Sequence, residues 1–199
     1  MDVVKQANLI PFLDFAYQGF GESLSADAFA VRAFAEAGIQ CLIASSFSKS
    51  FALYRERVGA LTILTSNAEE SKRVLSQVKR VIRTNYSSPS SHGAQIVALV
   101  LADAELRQQW ETELTEMRER IQSMRGKFVE MLREKGVEQD FSFIKDQRGM
   151  FSYSGLSPEI VGKLREKYGL YIVGSGRVCL AAMNDKNIGY VCEAIADLL

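Results

Sequence analysis

The chain has 199 residues, of which 47% are hydrophobic and 24% charged, and its 24 Lys and Arg balance its 24 Asp and Glu. This composition excludes a disordered or fibrous protein and gives enough chain for one or two domains. Zero net charge argues against a nucleic-acid-binding or membrane-surface protein. The only histidine, His92, excludes a histidine-rich site, so we expect no bound metal.

The cysteines and the apolar stretches predict a cellular location. Cys41, Cys179 and Cys192 form no C-x-x-C motif, which favours a reducing compartment. No stretch approaches the roughly 20 apolar residues of a membrane-spanning helix. The first residues lack the ordered features of a signal peptide. We therefore expect a soluble, cytoplasmic protein.

The first half of the chain predicts an α/β sheet that is buried on both faces. Short apolar runs predict strands at Asn8–Phe15, Ile39–Ala44 and Val58–Thr65. Helical spacing of apolar residues predicts helices at Ser25–Ala37, Asn67–Arg83 and Ala94–Leu101. The first helix has Ser25 or Asp27 as a possible cap, and Gly38 ends it.

The second half begins with a very long helix. One apolar stripe persists from Ala104 to Lys135, and we expect a domain boundary inside it, near residue 115. Short strands are predicted beyond it, at Phe141–Ile144, Met150–Tyr153, Leu170–Val173 and Val178–Ala181. Helices are predicted at Ser157–Tyr168, where Ser157 is the cap and Pro158 follows, and at Asn187–Leu198.

Polar residues at strand ends are the candidates for chemistry. Lys49 follows three serines after an apolar strand, where ligands of α/β proteins gather, and is either a solvated lysine or a reactive amine. Asp14 lies among aromatic residues and is either a cap or turn residue or the partner of a protonated ring nitrogen. Arg177, between two apolar runs, needs an acidic partner or an anionic ligand.

One alternative enzyme class also matches. Ser46 and Lys49 form an S-x-x-K pattern, as in penicillin-binding serine hydrolases. Such short patterns arise often by chance, and the supporting S-D-N and K-T-G elements are absent. His92, beside Gly93 at a helix start, is more typical of a cap or packing residue than of a base.

Five segments resemble the aspartate and aromatic amino acid aminotransferases, which are class I, fold type I pyridoxal-phosphate enzymes. They are Phe12–Phe20, Ser45–Gly59, Ile82–Ser87, Gly149–Leu156 and Ser175–Val178. The resemblance runs in order over essentially the whole chain. It implies transamination between an aromatic or dicarboxylic L-amino acid and 2-oxoglutarate, with pyridoxal 5′-phosphate as the cofactor.

The resemblance also implies roles for particular residues. Lys49 would form the Schiff base with the cofactor and move the substrate proton, Asp14 would pair with the ring nitrogen, and Tyr17 would donate to the phenolate oxygen. The implied cofactor-binding set is Asp14, Tyr17, Ser46, Ser48, Lys49 and Arg57, of which Ser46 and Arg57 would hold the phosphate and Ser48 is a weaker candidate.

Three further residues would contact the substrate. Arg177 would hold the α-carboxylate, and Tyr153 would line the pocket. Arg83 would reach the active site of the neighbouring subunit of a homodimer and receive a side-chain carboxylate. The resemblance does not separate an aspartate from an aromatic preference.

Family members are about twice as long as this chain, which matches their C-terminal half. Residues 1–115 would be the C-terminal part of the large, mixed-sheet cofactor domain, which the long helix joins to a smaller α/β domain at 116–199. We therefore expect a fragment in which Met1 is an internal methionine. Only about the last three strands of the large sheet would remain, with an open edge and exposed apolar faces. The alternative is an inactive truncated chain that acts only through packing or oligomerisation.

Overall fold

The structure is a computed structural model that describes all residues, 1–199. It divides into two compact units, which are Met1–Gly19 with Ser23–Leu114, and Phe20–Glu22 with Thr115–Leu199. This division falls within a 31-residue helix, beside the predicted boundary at residue 115. The assignment of the two units to a large and a small domain stays a prediction. None of the helices combines the length and the apolar character needed to cross a membrane.

The first unit contains a three-stranded mixed sheet and helices. Its strands are β1 (Phe12–Phe15), β2 (Leu42–Ser46) and β3 (Gly59–Ile63). Its helices are α1 (Asp2–Gln6), α2 (Leu24–Asp27), α3 (Phe29–Glu36), α4 (Ala68–Tyr86), α5 (His92–Ala102) and the start of α6 (Ala104–Glu134). The strand order is β1-β2-β3, with β1 parallel and β3 antiparallel to β2.

Side-chain caps define where the helices of this unit begin. A helix is predicted at Asn67–Arg83, and α4 forms there. The Asn67 side chain caps it by accepting a hydrogen bond from the Glu70 backbone N–H at 2.9 Å, a cap that the sequence analysis did not name. The predicted helix Ser25–Ala37 is wrong in detail, because it forms the two helices α2 and α3. Its cap is Ser23, whose hydroxyl accepts from the Ala26 N–H at 2.9 Å. Gly38 ends α3 in the left-handed region, at φ +64°, as predicted.

The prediction of a sheet buried on both faces is wrong. Phe12 is 65% exposed and Leu61 is 52% exposed. The predicted first strand is also too long, because Asn8 has a left-handed backbone conformation and β1 begins only at Phe12. The three remaining strands with exposed apolar faces match the expectation that the family resemblance gave.

The second unit has a closed core. It contains most of α6, the two-stranded antiparallel sheet of β4 (Phe151–Tyr153) and β5 (Arg177–Cys179), and the helices α7 (Pro158–Tyr168) and α8 (Ile188–Ala196). Ser157 caps α7 by accepting from the Ile160 N–H at 3.3 Å, as predicted. The large side chains that are fully buried in this unit are Phe128, Leu132, Ile144, Val161, Leu164, Leu180 and Ile195.

Two strand predictions in this unit are wrong, and a third is right in place but shifted in its bounds. The segment predicted at Phe141–Ile144 forms a 3₁₀ helix, Ser142–Asp146, which starts where the Asp140 carboxylate accepts from the Ser142 N–H at 2.7 Å. The segment Leu170–Val173 forms no strand, because no strand of this chain pairs with it. The predicted last strand becomes β5 followed by a 3₁₀ turn at Leu180–Ala182.

Candidate active site

The predicted catalytic residues of the first unit gather at one edge of its sheet. β1 and β2 run parallel, with Asp14 opposite Ala44, so their carboxyl ends lie at the same edge. Tyr17 follows β1 there and Lys49 follows β2. The Lys49 Nζ lies 4.6 Å from the centroid of the Tyr17 ring. The fold thus brings into contact two residues that are 32 positions apart.

Asp14 lies within β1, so the alternative of a helix cap or turn residue is wrong. Its side chain alternates with those of Leu13 and Phe15 and is exposed beside that of Phe12. Exposure removes the cost of placing a carboxylate among aromatic residues. The carboxylate makes no ion pair with any Lys, Arg or His of the chain, so it remains available to a cationic group of a ligand.

A turn after β2 holds the lysine. The Ser46 hydroxyl accepts a hydrogen bond from the Ser48 backbone N–H at 3.2 Å, and the Ser48 side chain is buried. The Ala52 N–H donates to the Lys49 carbonyl at 3.1 Å. Lys49 itself is half-buried. No hydrogen bond joins Ser46 to Lys49 as in a nucleophile–base pair, so the geometry of this turn does not support the S-x-x-K interpretation.

An aromatic cluster that the sequence analysis missed supports this turn. The Trp110 indole N–H donates to the Ser50 carbonyl at 2.6 Å, and its ring stacks on that of Phe51 with centroids 4.5 Å apart. Phe47 meets Phe51 edge-on at 5.6 Å. Trp110 is 60 residues from Ser50 in sequence, so helical periodicity indicates that it is inward-facing but does not identify its partner.

Arg57 has an uncommon backbone conformation for an arginine. Its φ is +52°, in the left-handed region, and its guanidinium donates to the Tyr54 carbonyl at 2.8 Å. Two residues later, Gly59 pairs with Ser46 across the sheet. A Cβ at Gly59 would lie 2.5 Å from the Ser45 carbonyl oxygen, so glycine is required for this close approach.

His92 contacts the same loop. Its Nδ1 lies 2.9 Å from the Glu56 Oε2, and the histidine ring is largely exposed. Gly93 packs tightly against this segment, since a Cβ there would lie 2.7 Å from the Cβ of Glu56. His92 is therefore the first residue of α5 and a hydrogen-bond partner of Glu56, a contact that the predicted cap or packing role does not include.

The structure does not bring Arg83 into contact with this group. Arg83 lies exposed in the last turn of α4 and donates a hydrogen bond to the Ser87 hydroxyl. Ser87 itself has a φ of +65°, which ends the helix.

The second unit places Arg177 and Tyr153 together. They are direct partners in the register of β4 and β5, so their side chains share one exposed face of this small sheet. The Arg177 guanidinium lies over the ring of Phe151, 4.9 Å from its centroid. Phe151 was not predicted, although its position two residues before Tyr153 places it on the same face. No carboxylate of this chain pairs with Arg177.

A cavity of about 240 Å³ adjoins this face and is mostly apolar. Phe151, Arg177 and Cys179 line it from the sheet, and Met183 and Val191 line it from the segment that follows. The second unit therefore combines an exposed guanidinium, an aromatic ring and an apolar cavity, which suits a carboxylate with an apolar body.

Comparisons of this chain with known proteins all point to one family. Residues 1–195 match the model of the family "Aminotransferase class I and II". The chain is 55% identical over 199 residues to an aspartate aminotransferase of Pseudomonas aeruginosa, and 48% identical to an aromatic-amino-acid aminotransferase of Escherichia coli. In each case the match covers 100% of this chain and 50% of the relative.

A solved structure confirms the predicted α/β fold. It is an aromatic-amino-acid aminotransferase of Burkholderia pseudomallei covalently bound to pyridoxal phosphate, 60% identical, with a TM-score of 0.98 over 100% of this chain and 50% of that one. The chain thus spans about half the length of the relatives that it matches. Since the family model covers nearly every residue of the chain, the chain belongs to the class I and II aminotransferases.

Proposed function

We propose that the enzyme to which this chain corresponds is a pyridoxal-phosphate-dependent aminotransferase. It would transfer the amino group of an aromatic or dicarboxylic L-amino acid to 2-oxoglutarate. The observation that carries the proposal is the half-buried amine of Lys49, 4.6 Å from the Tyr17 ring, at the sheet edge where β1 presents Asp14. The relatives' names include both aspartate and aromatic aminotransferases, so both substrate classes are retained.

The donor set of the first unit fits this cofactor. Lys49 supplies an amine for covalent attachment, and the exposed carboxylate of Asp14 suits a protonated ring nitrogen. The Ser46 hydroxyl and the Arg57 guanidinium supply a hydrogen bond and a positive charge for a phosphate. Ser48 is the weaker candidate, because its side chain is only 6% exposed. The left-handed conformation of Arg57 supports a functional role, since such strain concentrates at binding sites.

Each residue then has a defined task. Pyridoxal phosphate, when bound, supplies an electron sink that acidifies the substrate α-carbon. Asp14 would keep the ring nitrogen protonated through its negative charge. Lys49 would bind the cofactor and, once released, carry a proton to and from the substrate on its Nζ. Tyr17 would orient that amine and donate its phenol proton in a hydrogen bond.

The second unit would supply the contacts to the substrate. Arg177 would bind a carboxylate through its guanidinium, which stacks on Phe151 and meets no acidic side chain of the chain. Tyr153, its partner across the sheet, would line the pocket. Arg83 would serve a neighbouring subunit, which its exposed position in the last turn of α4 allows.

Assembly and location complete the proposal. We propose a homodimer, in which Arg83 of one subunit contributes to the active site of the other. We also propose a cytoplasmic location. It is supported by a relative in Dictyostelium discoideum that is 45% identical over 98% of this chain and is named a cytoplasmic aspartate aminotransferase.

A second candidate function is packing or oligomerisation without catalysis. The observation that favours it is the exposed apolar surface of the first unit, where Phe12, Phe29 and Leu61 are all more than half exposed.

Labelling with the cofactor distinguishes the two candidate functions, because only the aminotransferase requires pyridoxal phosphate to attach to one particular lysine. The chain is incubated with pyridoxal phosphate, alone and with the part of the Pseudomonas aeruginosa relative that it leaves unmatched. The mixture is then reduced with borohydride, and the modified peptide is identified by mass. We expect the label on Lys49, together with an absorbance band of lysine-bound cofactor and turnover of aspartate or tyrosine with 2-oxoglutarate in the mixture.

Two lysine variants test the assignment, one at the proposed attachment site and one as its matched control. Lys49→Ala should abolish the label and the band, whereas Lys72→Ala, at an exposed lysine of α4, should leave both unchanged. A label spread over several lysines, or an equal band in Lys49→Ala, would contradict the assignment of Lys49. Self-association with no specific label in either sample would favour the second candidate.

A further inference from the structure

Arg125 is a buried cation that the proposed reaction does not use. It lies on α6 in the second unit and is only 3% exposed. Its Nε donates to the Ser152 hydroxyl at 3.2 Å, and its Nη2 donates to the Gly149 carbonyl at 2.6 Å. Both acceptors are neutral, and no carboxylate pairs with this guanidinium. A buried charge without a counter-charge is costly, which indicates that something else compensates it.

The surroundings of Arg125 are positive. Burial lowers the pKa of its guanidinium, and the nearby charge of Arg148 lowers that pKa further. Arg148 is paired with Glu22, and Lys145 is paired with Glu130. The charge of Arg125 is therefore the one that remains uncompensated in this cluster.

A cavity of about 310 Å³ opens beside these cations. Its lining residues are Gln122, Arg125, Gly126, Lys145, Gln147 and Arg148. They carry three positive charges, two amides and no carboxylate. The third nitrogen of Arg125, Nη1, makes no hydrogen bond within the chain and is not sealed from solvent. It can therefore donate into this cavity.

Gly126 is the second, independent observation. Glycine in the interior of a helix is unfavourable, and Gly126 has helical geometry in the middle of α6. A Cβ built on it would meet no atom within 4 Å, so packing within the chain does not require a glycine. The missing side chain instead keeps the floor of the cavity open.

We propose that the cavity around Arg125, which we name the Arg125 site, binds a small oxyanion such as inorganic phosphate, because the charge of Arg125 is the one in this cluster that has no carboxylate partner. Arg125 binds it through Nη1, while Lys145 and Arg148, each paired with a carboxylate, line the cavity beside it. The Arg125 site is separate from the proposed substrate contact. Arg125 donates to Ser152 of β4, whose side chain lies on the opposite face of the sheet from Tyr153 and from Arg177 of β5. Anion binding at the Arg125 site does not depend on the proposed transamination.

The test is a titration of the full chain with inorganic phosphate at constant ionic strength, with chloride as the reference salt. Phosphate at about ten times its Kd should raise the melting temperature by roughly 3–5 °C. The same phosphate concentrations should produce a saturable heat in calorimetry. A parallel titration with acetate distinguishes a carboxylate from a phosphate as the preferred ligand.

Two variants make the result specific. Gly126→Leu fills the cavity without removing a charge and favours the helix, so it should fold and lose at least tenfold in phosphate affinity. Lys163→Gln removes an exposed lysine on α7 and should bind phosphate as the unmodified chain does. Chloride giving the same temperature shift, or Gly126→Leu retaining full affinity, would overturn the proposal. So would the absence of binding by both phosphate and acetate.

Discussion

The two units of this chain differ in how completely they bury their apolar residues. The second unit surrounds Phe128, Leu164 and Ile195 on all sides, so that none of them is exposed to solvent. The buried apolar residues of the first unit are only Cys41, Ile43, Val97 and Leu114. The second unit has a closed core, whereas the first presents a sheet with large exposed apolar side chains.

This difference shows that a site can be locally well formed on an incomplete scaffold. The turn around Lys49 has its hydrogen bonds, its aromatic support and its contact with Tyr17, although the faces of the sheet behind it are exposed. The contacts immediately around the turn are enough to fix the positions of these side chains. The stability of the unit as a whole depends on buried apolar area, which the first unit has in short supply.

The largest expected effect is at the centre of the second core. Phe128→Ala removes a side chain that is 0% exposed and should lower the free energy of unfolding by about 3–5 kcal/mol. Its matched control is Phe29→Ala in the first unit, at a side chain that is 70% exposed, which should change that free energy by less than about 0.5 kcal/mol. Denaturant titration followed by circular dichroism measures both. Equal losses of unfolding free energy in the two variants would contradict the difference in burial between the two units.

The next effect concerns alkaline pH. Burial in the second core raises the pKa of Cys192 from 9.0 to about 11, so between these values only the unfolded chain loses the thiol proton. The free energy of unfolding should therefore fall as pH rises from 9 to 11, by about 2 kcal/mol from this group.

Paired cysteine variants measure this contribution. Cys192→Ala should flatten the alkaline loss of stability. Cys41→Ala should flatten it less, because burial in the thinner first unit raises the pKa of Cys41 by a smaller amount. Unfolding midpoints in urea at pH 8, 9, 10 and 11 give the comparison. A steeper slope in Cys192→Ala would show that the sign is wrong.

Two glycines test packing at one place in each unit. Gly93→Ala in the first unit would place a Cβ 2.7 Å from that of Glu56, and we expect a loss of about 1–2 kcal/mol. Gly162→Ala, on α7 of the second unit, meets no atom within 4 Å and should gain about 0.5–1 kcal/mol from helix propensity. Thermal unfolding of both variants tests the pair. A neutral Gly93→Ala would mean that α5 does not pack tightly on the loop of Arg57.

The smallest effect on stability belongs to the exposed strand β3. Leu61→Ser should change the free energy of unfolding by less than about 0.5 kcal/mol, since Leu61 is 52% exposed. It should nevertheless reduce self-association, because an open apolar edge strand is a template for pairing. Light scattering over a range of concentrations measures this. A large loss of stability would show that Leu61 is covered in solution.

Much of the fold could be predicted from local patterns. The long helix, the cap at Ser157 and the glycine at the end of α3 depend on neighbouring residues alone, and all are present. The strand predicted at Leu170–Val173 depends on a partner that this chain lacks. Apolar content alone cannot distinguish such a segment from a paired strand.

The candidate site, like the fold, has a part that local sequence patterns predict and a part that they do not. The sequence points to Lys49, Asp14 and Arg177 as candidates, because a polar residue within or beside an apolar run is visible in the sequence itself. The contacts of Trp110 with Ser50 and of His92 with Glu56 join positions 60 and 36 residues apart, which no local pattern reveals. The roles of the individual site residues remain predictions.

The position of Trp110 has a practical consequence. It is the only tryptophan of the chain, and its indole N–H is bonded to the carbonyl of the residue next to Lys49. Its fluorescence therefore reports on the lysine turn without any label. Loss of that hydrogen bond or of the stacking on Phe51 would expose the indole to water and shift its emission to longer wavelength. The chain thus carries its own optical probe at the position where its chemistry is proposed to begin.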